Sequence, residues 1–212
     1  MAKYFKHYPK ELYTLEDRPQ ALDAITNICT RFSFEQSFKE NTGSYYEYQI
    51  QEGETPEMIA HKLYGSSEQH WIVLMMNDII DPYYDWPMNQ NVFKSFLNTK
   101  YKTQGDAEMK TGAKWATENI KSWYITETRT NARTGVAISE TREVDQSTWT
   151  DTNSSLDTLD LDDGTRIIIE VTKTTKTHYA YEVELNESKR TIKLLRGEMS
   201  GPVTKEFKKV IG

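Results

Sequence analysis

Little in this chain is suited to covalent cross-linking, to membrane insertion or to binding polyanions. Cys29 is its only cysteine, so no internal disulfide can form, and the expected setting is a reducing compartment. Flanked by Ile28 and Thr30, Cys29 reads as a small buried hydrophobe rather than a nucleophile. The longest apolar run, Trp71–Met76, is far too short to span a bilayer. The N-terminus carries no charged-then-apolar leader, which sets the expectation of cytoplasmic synthesis without export. Basic charge is not in excess: 26 Lys and Arg stand against 32 Asp and Glu, for a net charge of -6. That balance excludes a general nucleic-acid binder. The C-terminal cluster of Lys189, Arg190, Lys193, Arg196, Lys205, Lys208 and Lys209 then reads as a solvated or protein-facing surface.

Catalytic constellations are missing as well. His7, His61, His70 and His178 have no second ligand at metal spacing. The segment around Gly164 resembles a calcium loop only superficially, because Leu159 and Leu161 stand where carboxylates are needed. No phosphate-cradling glycine loop and no nucleophile elbow occurs. Asp78, Asp81 and Asp85 could mimic a carboxylate cluster, but Asp81 and Asp85 sit beside prolines and aromatics, where Asp closes turns. No enzyme activity, cofactor or metal is expected. A hydrophobic share of 37% and a mean hydropathy of -0.74 favour several small modules over one large core.

What is present begins with local signals between Tyr48 and Pro87. Tyr48–Gln51 alternates as a short half-buried strand. Gly53 turns the chain, Thr55 is a good N-cap, and Pro56 suits the first helical position. Ile59, Ala60, Leu63 and Tyr64 share a helical face, and Gly65 is a left-handed stop. Ser66 with Gln69 forms a capping-box pattern for a second helix, Trp71–Met76, which is apolar nearly all round and must be buried. Asn77 is expected to end it in the left-handed conformation. Pro82 and Pro87 then keep regular structure from resuming at once.

Strand, turn, helix, tight turn and helix in this order resemble the LysM module, carried by Tyr48–Gln51, Gly53-Glu54-Thr55, Ile59-Ala60, Leu63-Tyr64-Gly65 and Asn77. The stretch Asp81-Pro82-Tyr83-Tyr84-Asp85-Trp86-Pro87 stands where the second LysM strand should begin. Together with Leu63-Tyr64-Gly65 and His70–Asp78, it resembles the LysM-bearing baseplate wedge proteins of contractile-tailed, T4-like bacteriophages. Tyr4–Lys10 near the start, and Tyr181–Leu195 followed by Glu206-Phe207 near the end, agree with that family.

The remaining chain divides by pattern. Residues 1–47 read as an extended, aromatic-rich arm, and 48–87 as the LysM-like module. Residues 88–112 read as a helix with Val92, Phe93, Phe96 and Leu97 on one face, followed by a polar linker. Residues 113–212 read as a β-rich module. In it, strands surround Trp123, Ile125, Val136 and Ile138, and Asp145–Asp163 forms a long loop. Further strands carry Ile167, Ile169 and Val171, then Tyr179, Tyr181, Val183 and Leu185, then Ile192 and Leu194. A final helix opens at Pro202 with Val203, Phe207, Val210 and Ile211 on its apolar face. The predicted class is α+β.

These features predict a structural protein whose surfaces want protein partners. The expected contact residues are Phe5 and Tyr8 in the arm, Asp81, Tyr83, Tyr84 and Trp86 after the second helix, and Val203, Phe207 and Ile211 in the last helix. The resemblance implies a wedge component that joins wedge subunits and neighbouring wedges. Its partners would be other wedge proteins, the sheath-initiating subunit and copies in neighbouring wedges, with assembly in the host cytoplasm and residence in the virion tail baseplate. Nucleic acid, membrane and glycan are not expected as partners. Two other readings stand beside it. One is a peptidoglycan- or chitin-binding LysM protein using Glu52–Glu57 and Asn77–Asp81; the other is an accessory module of a cell-wall hydrolase.

Overall fold

A computed structural model describes residues 7–14, 22–29 and 33–211. In chain order its elements begin with β1 (Lys10–Thr14), β2 (Leu22–Thr26), α1 (Gln36–Glu40), β3 (Tyr45–Gln49), α2 (Pro56–Tyr64), α3 (His70–Met76) and α4 (Pro82–Asp85). They continue with α5 (Gln90–Lys100), α6 (Lys102–Ala107), α7 (Gly112–Glu118), β4 (Ile120–Asn131), β5 (Ala137–Val144), α8 (Gln146–Asp151) and β6 (Ser155–Asp160). The last are β7 (Arg166–Thr177), α9 (His178–Ser188), β8 (Thr191–Leu195) and α10 (Gly197–Ile211). The class is α+β. The chain forms two compact units, Met1–Asn89 with Asn186–Gly212, and Gln90–Leu185.

The first unit is closed by a pairing across most of the sequence. β3 runs antiparallel to β8, from Tyr45 opposite Leu195 to Gln49 opposite Thr191. The second strand of the small sheet thus comes from the far end of the chain. α2 and α3 pack on this sheet. Thr55 Oγ1 accepts the Met58 N–H, Pro56 opens α2, and Gly65 ends it at φ 75°, all as the local residues require. Ser66 caps nothing with its side chain: a turn of 3-10 helix at Ser67–Gln69 intervenes, and α3 starts at His70.

α3 is apolar on all sides because it separates two cores. Val73 joins Ile50, Ile59, Ala60, Trp86, Ile192 and Leu194 on one side. Trp71 and Ile72 join Tyr8, Leu195, Phe207 and Ile211 on the other. Each of the buried Val, Ile, Leu and Phe side chains contributes about 1.5–3 kcal/mol by leaving water. α10 begins five residues before the predicted start, so Pro202 lies inside it and removes one helical hydrogen bond. Ser200 and Thr204 hydroxyls each accompany the helix by donating to backbone carbonyls one turn back.

The second unit differs more from expectation. The predicted polar linker contains a short helix, α6, and ends where a second, α7, begins. Glycine made it look like a loop, yet glycine is what allows the packing. A Cβ on Gly112 would lie 2.7 Å from the Leu97 carbonyl oxygen, and one on Gly105 would lie 2.8 Å from that of Lys110. Leu97, Tyr101 and Ala116 form the core at this end. The four strands follow the order β5-β4-β7-β6, all antiparallel. The predicted loop at 145–163 contains α8, capped by Asp145, and β6.

Tyr179–Leu185, predicted as a strand, is helical. Its apolar residues alternate, but its inward side is polar: Glu182 is buried, where it accepts from Tyr101 Oη at 2.8 Å and Lys100 Nζ at 2.7 Å. A buried carboxylate is held only when paired in this way. Hydrophobic periodicity cannot report a helix whose buried face is polar.

Candidate interaction surface

The segment from Asn77 to Met88 is fixed at both ends and exposed in the middle. Asn77 does not take the left-handed conformation expected of it; Asp78 does, at φ 54°. The Asn77 side chain instead reaches β8. Its Nδ2 donates to the carbonyls of Val73 and Lys193, each at 2.8 Å, and its Oδ1 accepts the Lys193 N–H at 2.7 Å. Asp78 forms an ion pair with the largely buried Lys39 of α1. Ile79 N–H returns to the Leu74 carbonyl at 2.9 Å.

One helical turn, α4, follows. Asp81 caps it by accepting the Tyr83 N–H at 3.0 Å. Asp85 reaches back and accepts the N–H groups of Ile80 and Asp81. Here the prolines do not exclude regular structure, because Pro82 occupies the first helical position, where its missing N–H is not needed. Trp86 turns inward, is 8% exposed, and donates Nε1–H to the Glu54 carbonyl at 2.8 Å. Asn186 holds the exit of the segment through a reciprocal pair with the Met88 backbone, at 2.8 and 3.1 Å. Lys189 donates to the Tyr84 carbonyl.

Glu54 is the anchor on the opposite side. Its two carboxylate oxygens share the Tyr48 hydroxyl proton, at 2.9 and 2.8 Å, and one of them accepts the Gln51 N–H at 2.9 Å. Partial burial pushes its pKa up, but the Gln51 N–H, the Tyr48 hydroxyl and Lys62 outweigh that and hold it below the usual carboxylate range.

The expected contact residues therefore separate into two groups. Tyr83 and Tyr84 are 86% and 61% exposed, with Ile80 beside them at 79%, and Asp81 is exposed at their base. Trp86, Tyr8, Phe207 and Ile211 are buried in the chain's own cores, and Val203 is half-buried against the second of them. Phe207 stacks on Trp71 with ring centroids 4.6 Å apart and meets Tyr8 edge-on at 6.3 Å. Phe5 lies outside the described residues. Sequence reasoning named Asn77 only as a helix end, Glu54 only as part of a turn and Lys189 only in a basic cluster, and gave Asn186 no role, yet these four hold the turn in place. Each acts on a residue distant in sequence, and only the polar character of Asn77 at a helix end hinted at a role.

The model of the base plate wedge protein 53 family matches residues 20–206. The chain is also similar to the baseplate wedge protein gp53 of Enterobacteria phage T4, with 38% identity over 58 residues. That stretch covers 27% of this chain and 30% of the T4 protein. The match to the family model takes in most of the sequence, and the chain belongs to the base plate wedge protein 53 family, a family of structural proteins of the phage tail baseplate.

Proposed function

We propose that this protein is a non-enzymatic connector in the baseplate wedge of a contractile tail, joining wedge subunits and neighbouring wedges through protein–protein contacts. Its partners in this reading are other wedge proteins, the sheath-initiating subunit and copies in neighbouring wedges, and it assembles in the host cytoplasm. The β3-α2-α3-β8 unit serves as a LysM-like module in which the second strand follows a long insertion.

The observation that carries the reading is the pair Tyr83 and Tyr84, exposed on a turn whose backbone is pinned by Asp81, Asp85, Trp86 and Lys189. Rigid, exposed aromatics lose little entropy on binding and supply large contact area, as protein interfaces require. The same pinning argues against the glycan reading. A sugar in the groove between Glu52–Glu57 and Asn77–Asp81 would need open backbone groups there. The Glu54 carbonyl is taken by Trp86, and the Ile80 and Asp81 N–H groups by Asp85.

Calorimetry with chitin and peptidoglycan oligosaccharides, run beside co-purification with wedge proteins of the same phage, tests the proposal. No heat of binding together with stable co-purification is expected. Saturable glycan binding that is lost on substitution within Glu52–Glu57 would overturn it.

A further inference from the structure

Two open strand edges in the first unit match each other. β3 pairs only with β8, and β1 only with β2, among the described residues. The bond from Ile50 N–H to the Arg190 carbonyl sets the alternation of the β3–β8 ladder, so the N–H and C=O groups of Tyr45, Glu47 and Gln49 point away from β8, where the Gln49 carbonyl accepts from the exposed Gln51 side-chain amide at 2.9 Å. The bond from Asn27 N–H to the Pro9 carbonyl does the same for the hairpin and turns those of Lys10, Leu12 and Thr14 outward. Each open edge is five residues long. Every residue of β1 is exposed, Leu12 and Tyr13 by 70% and 53%. A two-stranded hairpin with its apolar side chains in water is marginal by itself, and an unpaired edge is a template for another strand.

We propose that β1 of one copy adds antiparallel to β3 of a second copy, giving a continuous sheet in the order β2-β1-β3-β8. This rests on the connector reading above and gives the means by which copies join. The register is set by the side chains. Placing Leu12 opposite Glu47 puts Tyr13 opposite Tyr46 and Glu11 opposite Tyr48 on the same face. Tyr46 is 36% exposed, and an aromatic pair across strands is favourable. Lys62 Nζ, which pairs with Glu54 at 3.6 Å, lies 5.5 Å above the Tyr48 ring with its side chain two-thirds exposed, so Glu11 meets a cation that it shares with Glu54. On the other face Lys10 falls diagonal to Glu47. Shifting the register by one residue moves Tyr13 away from Tyr46 and Glu11 away from Lys62.

Cys29 is exposed, not buried as its apolar neighbours suggested, so the test uses the full chain with Cys29 replaced by serine. One preparation carries only Tyr13→Cys and the other only Tyr46→Cys, so a mixed disulfide can arise only between copies. Under mild oxidation a heterodimer is expected from this mixture, well above that from Tyr13→Cys mixed with Glu47→Cys, whose side chain lies on the opposite face. Adding Leu12→Pro to the Tyr13→Cys chain removes an outward N–H that the β1–β2 ladder does not use. Its heterodimer yield should fall by about tenfold or more, as loss of an edge contact implies. Equal yields with the two cysteine partners, or no heterodimer, would overturn the proposal. If those results accompany normal co-purification with wedge proteins, strand addition between copies fails while the connector reading stands. If Glu47→Pro alone abolishes that co-purification, the β3 edge belongs to a different protein.

Discussion

The amide of Asn77 takes the place of a strand beside Lys193: it donates to the Lys193 carbonyl at 2.8 Å and accepts the Lys193 N–H at 2.7 Å. Among the described residues β8 has β3 on one side only, and this side chain satisfies both outward backbone groups at the middle of its other edge. It also ties the end of α3 to a strand more than a hundred residues later. Asn77→Ala leaves those half-buried groups without partners and is expected to cost about 1–3 kcal/mol. Urea unfolding of the two proteins checks this, and equal midpoints with equal slopes would refute it.

Ile59 and Leu63 are one helical turn apart on α2 but differ in burial. Ile59 is 1% exposed in the first core, whereas Leu63 is half-buried at its margin. Ile59→Ala should cost about 2–5 kcal/mol through the cavity it leaves, and Leu63→Ala distinctly less. Thermal denaturation that ranks Leu63→Ala as the worse variant would show that α2 is rotated from the position described.

Two glycines are required for different reasons. Gly65 sits at φ 75° with open space where a Cβ would go, so Gly65→Val meets backbone strain of roughly 1 kcal/mol or more. Gly112 has ordinary backbone angles, but its Cβ would strike the backbone of Leu97 and Asn98. Gly112→Ala should therefore destabilise the Gln90–Leu185 unit even though alanine is the better helix former. A Gly112→Ala protein as resistant to proteolysis as the parent would contradict that packing.

His178 gives the stability a pH dependence. Its ring lies 5.3 Å from that of Tyr101 and 5.0 Å from that of Trp115. Burial, chiefly, and then the cations Lys121 and Lys100 lower its pKa below the ordinary 6.5, against an opposing pull from Glu182. The unfolded chain thus binds the proton more readily than the folded one. The stability from this group is present in full above 6.5 and is lost as pH falls through its lower folded value. Chemical denaturation of the parent and of His178→Gln between about pH 7.5 and pH 5 should show a steeper loss in the parent. Parallel curves would remove His178 as the cause.

Local chemistry in the sequence was sufficient where neighbours in the chain decide the outcome. Thr55, Pro56 and Gly65 bounded α2, the unbroken apolar run of Trp71–Met76 required burial on all sides, and alternation located β4, β5, β7 and β8. It was insufficient where the decisive partner is remote. Nothing near Tyr45–Gln49 indicates that its partner is Thr191–Leu195. Nothing around Tyr179 reveals that Glu182 is buried on Tyr101 and Lys100, which makes the segment a helix with a polar inner face. The terminal helix illustrates the same limit on function. Its apolar face reads as a docking surface, but Phe207 and Ile211 fill the core around Trp71. Deleting the chain from Pro202 onward should therefore cost folding directly. Among the expected contact residues, exposure singles out Tyr83 and Tyr84, a distinction that Trp86, equally aromatic and close by, shows composition could not make.

The connector account depends most on those two tyrosines. A chain with Tyr83→Ala and Tyr84→Ala keeps Trp86, Asp81 and Asp85, so the turn should fold and the thermal midpoint should stay close to that of the parent. Quantitative co-purification with wedge proteins of the same phage is the direct measurement. The account expects recovery to fall by about tenfold or more, the effect of losing exposed aromatic anchors from an interface. Unchanged recovery by a folded double variant would contradict it.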